Sequence, residues 1–310
     1  MNLFQPEPRD AHAPRPTLQS GGPQGEVEKG SMNAAPSVPT RPLANGARIP
    51  QLGFGTWPLT DEEAERAVAE AIGVGYRLID TAYKYGNEVG VGRGLRASGV
   101  PREELFVTSK LNGEWHGRDR VQEAFRDSVG KLGVDYLDLY LIHWPLPWQD
   151  RYVDAFLGLT DLLRDGRVRA VGLSNFKPAH IDRIRAATGV TPDVNQIQLD
   201  PTLTREAARA YHREHGIATQ SWGPIGHGGE LLTHPVVTGI ADRYGRTPAQ
   251  VVLRWHLELE LIPIPKTASP ERMKSNIDVF DFTLAPEDVA ALSALDRGEQ
   301  AATDSDRTGH

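Results

Sequence analysis

The sequence predicts an α/β fold, a (β/α)8 TIM barrel with an N-terminal β-hairpin and a disordered N-terminal extension, on three observations. Eight short apolar runs, at 51–55, 76–80, 105–110, 136–142, 168–173, 194–198, 217–222 and 261–265, have the length and content of strands. Amphipathic stretches lie between them, the alternation that builds parallel βα units. The best-defined run, Leu137 to Ile142 in VDYLDLYLIHWP, is apolar on both parities, which suits a parallel strand covered on both faces. Right-handed crossovers close eight such units into a barrel. An open doubly wound sheet is the other architecture this order allows.

Residues 1–40 are rich in Pro, Gly, Ser and charge and almost lack aliphatic side chains. Such a segment buries too little surface to offset its ordering entropy, so it is expected to be disordered, with Met32 a possible true start. Residues 41–310 are then one barrel domain. Asn45-Gly46 signals a type I′ hairpin that opens it. Thr60-Asp61-Glu62-Glu63 is a capping box, followed by Ala64, Ala67, Val68, Ala71 and Ile72 on one helix face. Val121, Phe125, Ser128, Val129 and Leu132 form another such face. Thr247-Pro248 with Gln250 gives an N-cap, a proline at the first helical position and a box partner.

At 310 residues and 39% hydrophobic content the chain can bury a barrel-sized core. A net charge of −7 argues against nucleic acid or an anionic membrane as partner. The absence of cysteine excludes disulfides and thiolate metal sites. No apolar run approaches the ~20 residues that span a bilayer, and the first residues lack the order of a signal peptide. A cytoplasmic protein is expected.

Several motifs carry no chemistry. Gly90-Val91-Gly92-Arg93-Gly94 lacks GxGxxG spacing and follows a helical stretch, so it reads as a helix end or a close packing point. His212 and His215 could share a helix face, but with no third ligand nearby they read as solvated surface. His180, His227, His234 and His256 have no better case for a metal.

Side chains alternate along a strand, so parity shows which residues share a face. Tyr76, Leu78 and Asp80 share one; so do Phe106, Thr108 and Lys110, and Leu139, Leu141 and His143. If these faces point inward, Asp80, Lys110 and His143 arrive together at the C-terminal rim, where barrels build their sites. Tyr85, in DTAYKYG, adds a proton donor, with Tyr83 close enough to compete. A free phenol, of pKa ~10, exchanges protons poorly near neutrality. A neighbouring ammonium is expected to lower that value, and Asp80 to hold Lys110 charged. Lys266 ends the last run, and Ser269-Pro270 opens a helix whose exposed donors, with Arg272, make an anion site.

With these residues in view, the chain resembles the aldo-keto reductases over roughly residues 40–295. The motifs that carry the resemblance are LGFGTW at 52–57, GYRLIDTAYKYGNE at 75–88, Lys110 in FVTSKL, LIHWP at 141–145 and VGLSNF at 171–176. NQIQLDP at 195–201, SWGPIG at 221–226 and IPKTASPERMKSN at 264–276 complete them. The resemblance implies NADPH-dependent reduction of aldehydes or ketones by a monomer. Asp80, Tyr85, Lys110 and His143 would be catalytic: Tyr85 the general acid, Asp80 and Lys110 its tuning pair, His143 the group orienting the carbonyl. Ser174, Asn175 and Gln196 would bind the nicotinamide carboxamide, and Trp222 would stack on its ring. Gly55, Thr56, Asp80, Gly223, Pro224, Ile225 and Thr267 would line the NADP(H) cleft. Lys266 and Arg272 would take the adenosine 2′-phosphate, with Asn276 near the adenine. Trp57 and Trp144 would wall the substrate pocket beside Tyr85 and His143. The tryptophan at 222, where tyrosine is commoner, is similar to the diketogluconate-reductase branch.

Three departures from that pattern stand out. Asn112 follows Lys110-Leu111 where a tryptophan is usual, Gln198-Leu199-Asp200-Pro201 replaces Glu-x-His-Pro, and Ser275 stands where a glutamate is frequent. The short polar tail after Leu295 fits a relatively open pocket. Two other functions use the same residues: a Schiff-base lyase or aldolase acting through Lys110, and a non-catalytic NADPH-binding partner protein.

Overall fold

The computed structural model describes residues 38–226 and 229–309. The expected disordered extension lies outside them as far as residue 37. Its last three residues are folded instead: Val38 is buried, and strand β1, Thr40–Pro42, starts at Thr40. β1 pairs antiparallel with β2, Arg48–Pro50. The turn between them is not the expected type I′, which needs positive φ at both central residues. Only Gly46 has one, at +89°. The Gly46 N–H donates to Leu43 O and the Leu43 N–H to Ala47 O, giving a three-residue loop with the glycine at the bulge position.

The expected βα alternation follows. It runs β3 (Gly53–Gly55), α1 (Asp61–Gly73), β4 (Leu78–Asp80), α2 (Glu88–Ala97), β5 (Phe106–Leu111), α3 (Arg118–Leu132) and β6 (Leu137–Ile142). It continues through α4 (Tyr152–Arg164), β7 (Val168–Ser174), α5 (Pro178–Thr188), β8 (Val194–Gln198), α6 (Glu206–Glu214) and β9 (Ala218–Trp222). After β9 come α7 (Pro235–Tyr244), α8 (Pro248–Glu258), β10 (Ile262–Ile264), α9 (Pro270–Ile277) and α10 (Pro286–Ser293). β3 to β10 form one eight-stranded parallel sheet in sequence order. Its ends meet: the Gly55 N–H donates to Pro265 O at 3.0 Å. A Cβ on Gly53 would lie 2.6 Å from Ile264 Cδ1, so any side chain at the seam would have to displace Ile264 and Leu78.

Two apolar layers follow from the strand period. Leu78, Phe106, Leu139, Leu141, Ala170, Val194, Ala218, Ile262 and Ile264 fill the barrel interior. Leu43 and Ile49 of the hairpin join that cluster from below. Asn45 Nδ2 ties the hairpin to Arg169 O and Asp193 Oδ2, at the N-terminal ends of β7 and β8. The opposite parity, with Phe54, Ile79, Val107, Tyr140, Ile142 and Val171, packs against the helices. Tyr76 belongs to this outer layer, contrary to its expected place beside Leu78. The chain is not yet strand there, and the Tyr76 hydroxyl donates to Met273 O of α9.

Both expected capping boxes form, at Thr60/Glu63 and Thr247/Gln250. The glycines of residues 90–94 lie inside α2, as packing points. A Cβ on Gly90 would sit 2.0 Å from Asp61 O of α1, and one on Gly92 would sit 2.2 Å from Leu132 O of α3. Gly92→Ala is therefore expected to lower unfolding stability by about 1–3 kcal/mol through forced helix displacement. Urea denaturation checks this, against a Gly73→Ala control at a helix end where nothing lies within 4 Å.

Of the two histidines expected at the surface, His215 is half-buried and His212 is interior, and His227 lies outside the described residues. His212 is fully buried between Asn195 Nδ2 and Thr219 Oγ1, and burial pushes its pKa down to about 3. His256 is held between Ser221 Oγ and Pro224 O, with its pKa down to about 4. Among the described residues no His, Asp or Glu cluster is arranged to hold a metal. No helix among them is long and apolar enough to cross a membrane.

Candidate active site

The site is built by strand ends. Asp80 is the last residue of β4, Lys110 the last but one of β5, and His143 follows β6 directly. Parallel register sets Thr108 beside Leu139 and Lys110 beside Leu141, and the His143 N–H continues the ladder to Leu111 O at 3.0 Å. The expected inward faces therefore hold for Asp80, Lys110 and His143.

Lys110 is fully buried, and each of its three N–H bonds has an acceptor. They are Asp80 Oδ1 at 2.5 Å, Thr81 O at 3.0 Å and the Tyr85 hydroxyl at 3.3 Å. Burial works to lower the lysine pKa, but Asp80 and Tyr85 together outweigh it, and the group is held above its ordinary value as an ammonium. The other Asp80 oxygen accepts from Gln196 Nε2 at 2.9 Å, and that nitrogen also reaches Gln220 Oε1 at 3.1 Å. The buried charge pair is thus hydrogen-bonded on both sides, the condition under which such a pair persists.

Tyr85, not Tyr83, brings its phenol to Lys110. Tyr83 turns outward, edge-on to Trp115 and 4.2 Å from Lys131 Nζ. Tyr85 stands on a one-turn 3-10 helix closed by Gly86 at φ +68°. Asn87 fixes that turn by donating to Thr56 O and Leu59 O while accepting from Thr81 Oγ1. The Tyr85 and His143 rings meet edge to face, 5.6 Å apart at 75°.

The Tyr85 pKa corrects the expectation. It lies above the ordinary phenol value, because burial outweighs the pull of Lys110 and Asp80 pushes the same way as burial. With no ligand bound, the phenol is therefore a protonated donor at neutral pH rather than a group already inclined to ionise.

The rest of the rim is joined by side-chain amides. Asn175 takes a left-handed φ of +66°, which asparagine tolerates better than most residues. Its Nδ2 donates to His143 O and Ser174 Oγ, and its Oδ1 accepts from Trp222 Nε1 at 2.8 Å. Gly223 and Gly226 turn the chain after β9 at φ +63° and +62°. Thr56 Oγ1 donates to Asp80 O, and Gly55 lies against Ile264 and Lys266. At the start of α9 the Ser269 hydroxyl accepts from the Arg272 N–H, and Thr267 Oγ1 accepts from the Ser269 N–H. Lys266 and Arg272 are exposed there, while Thr267 and Asn276 are buried. Glu271 lies among them, its carboxyl held below the usual range by Ser269 and its own backbone N–H. That helix start already holds one carboxylate. Trp144 is buried and Trp57 exposed at 55%, so the two expected walls differ in character.

The C-terminal tail folds back onto the loops of the rim. Lys177 Nζ donates to Asp304 Oδ1 and Asp306 Oδ2, both at 2.6 Å, and His180 pairs with Asp306. Ser305 is buried, Gly309 lies against Leu146 and Trp144, and Thr303 caps Gln198 Oε1. The departure at Gln198 thus has a structural use. Sequence reasoning missed this strap, and it missed Thr81, Asn87 and Gln220. Gln220 alone had a signal, a polar residue at the inward parity of an apolar strand.

A closed eight-stranded barrel with an acid–base cluster at the C-terminal ends of its strands defines a (β/α)8 protein equipped for proton transfer to a bound ligand. The chain belongs to the aldo/keto reductase family, whose family model matches residues 51–297. An aldo-keto reductase of Mycolicibacterium smegmatis is 48% identical over 262 residues, 84% of this chain and 95% of the relative. The methylglyoxal reductase DkgA of Escherichia coli is 44% identical over 268 residues, 86% of this chain and 97% of that protein. Among solved structures, an aldo/keto reductase from Brucella melitensis superposes with a TM-score of 0.81 at 45% identity, covering 84% of this chain and all of the other. A mutant of Gox0644 in complex with NADPH gives 0.83 at 41% identity, covering 87% and 98%.

Proposed function

We propose that the protein reduces aldehydes or ketones to alcohols with NADPH. The observation that carries this is the Lys110 ammonium, fully buried with its N–H bonds on Asp80, Thr81 O and the hydroxyl of Tyr85, whose ring in turn meets His143. In this reading NADPH, when bound, supplies the hydride to the carbonyl carbon. Tyr85 donates its proton to the carbonyl oxygen. Lys110 steadies the phenolate as it forms, which matters more than lowering the resting pKa, because charge is stabilised where it develops. Asp80 keeps Lys110 charged and aimed. His143 fixes the carbonyl oxygen beside the phenol.

The rim suits that cofactor. Ser174 Oγ and the carbonyl end of Gln196 are the groups most open to a carboxamide, because the Asn175 amide is already shared among His143, Ser174 and Trp222. Trp222, with its indole N–H held by Asn175, presents a ring face for stacking. Gly55, Thr56, Gly223, Pro224 and Ile225 supply backbone edges along the cleft. Lys266, Thr267 and Arg272 would bind the 2′-phosphate, with Glu271 moving aside, and Asn276 would meet the adenine. Replacing both Lys266 and Arg272 by Ala is expected to raise KM for NADPH by about tenfold or more, with far less effect on NADH. Steady-state kinetics with the two cofactors decide it.

A Schiff-base role for Lys110 needs a free amine, whereas the geometry favours an ammonium. Borohydride trapping of a carbonyl substrate on Lys110 would reinstate that role. The test of the main reading is loss of nicotinamide absorbance across aldoses, keto-sugar acids, methylglyoxal and aromatic aldehydes. Tight NADPH binding with no turnover of the whole panel would favour a non-catalytic partner protein.

A further inference from the structure

We propose that Asn112 selects carbonyl substrates bearing a hydroxyl on the carbon beside the carbonyl or on the next one. The inference rests on the reductase reading and adds the substrate class. Asn112 keeps an extended backbone, φ −80° and ψ 155°, so the alternation of β5 continues through it. Lys110 faces inward, Leu111 outward and Asn112 inward again. The β5–β6 register, carried on by the His143 N–H to Leu111 O bond, makes His143 its lateral neighbour. Asn112 is thus the side chain next to the group that holds the carbonyl, one strand across.

Its chemistry is incomplete. Asn112 is 3% exposed, and its Nδ2 donates to Glu114 Oε2 at 3.1 Å. A carboxylate only accepts, so this bond fixes the amide orientation and leaves the oxygen free. Asn112 Oδ1 is buried and has no hydrogen-bond partner among the described residues. The same loop holds other buried polar atoms in that condition, Trp115 Nε1 and both ring nitrogens of His116. Burial holds the His116 pKa at about 4, so the ring is neutral and brings no charge. A buried acceptor without a partner, on an inward-facing side chain beside His143, indicates a group kept for a hydrogen bond with something that enters, since buried polar groups are otherwise satisfied.

Neighbouring strands lie about 4.8 Å apart. A carbonyl oxygen held at His143 therefore puts a hydroxyl one or two carbons away within reach of Asn112 Oδ1. The hydroxyl donates and the amide oxygen accepts. A simple aldehyde leaves that acceptor to water or to nothing, and so loses discrimination energy in the transition state.

The test compares kcat/KM with NADPH for glycolaldehyde against acetaldehyde, and for glyceraldehyde against propanal. Each ratio is measured in the native protein, in Asn112→Leu and in Asn112→Ala, with folding checked by thermal melting. Aldehyde hydration cancels because each ratio is compared with itself across variants. The native protein is expected to favour the hydroxylated partner of each pair, and the Leu variant to lower that preference about tenfold, the worth of one hydrogen bond. The Ala variant, which shrinks the side chain where Leu enlarges it and leaves room for water, is expected to lower it too. An unchanged ratio in both variants, or a native preference for the simple aldehydes, overturns the proposal while leaving the reductase reading intact. No turnover of any aldehyde by the native protein overturns the reductase reading, and this inference with it.

Discussion

Tyr85→Phe is expected to lower kcat for carbonyl reduction by about 10²–10⁴-fold, the range for loss of a positioned general acid. The ring, its edge contact with His143 and the cleft are retained, so the NADPH Kd should move little. Only the proton is lost. Protein fluorescence titration with NADPH and single-turnover rates separate the two effects, and a variant that turns over normally removes Tyr85 from the acid role. The raised phenol pKa adds a pH signature. The reducing direction needs the protonated phenol, which is present throughout the neutral range, so Tyr85 itself should impose no fall in rate until strongly alkaline pH. Alcohol oxidation needs the phenolate, and its rate should climb with pH across the same range.

Lys110→Met is expected to have the second largest effect, on two observables. Turnover should fall by about 10²-fold or more, because the phenolate then develops without its ammonium. Stability should fall by about 3–5 kcal/mol, because Asp80 stays buried with Gln196 as its remaining side-chain partner. Adding Asp80→Asn removes the unpaired charge and should recover much of the stability without restoring turnover. Denaturant midpoints for the single and double variants check this. Equal loss in both would show that the unpaired carboxylate is not the source.

How far the sequence carries can be judged residue by residue. Asp80, Lys110 and His143 were legible because strand periodicity is local: an ionisable residue at an inward parity, at the end of an apolar run, has one place to go. Tyr76 broke the same rule because β4 starts later than its apolar residues do, and a hydroxyl partner on α9 holds it outside. Asn45-Gly46 signalled a turn correctly but not its type, which depends on how the flanking residues pair. His212 looked like surface because its partners, Asn195 and Thr219, come from other elements. The Tyr85 shift was misjudged for a related reason. Proximity to Lys110 is written in the sequence, whereas the extent of burial is set by the whole assembly.

The hairpin below the barrel also divides the work of its two ends. Leu43 and Ile49 join the apolar side chains that fill the interior, so that end is closed by packing. Asp80, Lys110 and Gln196 gather at the other. One mouth of the barrel is given over to stability, and the opposite one is left for chemistry.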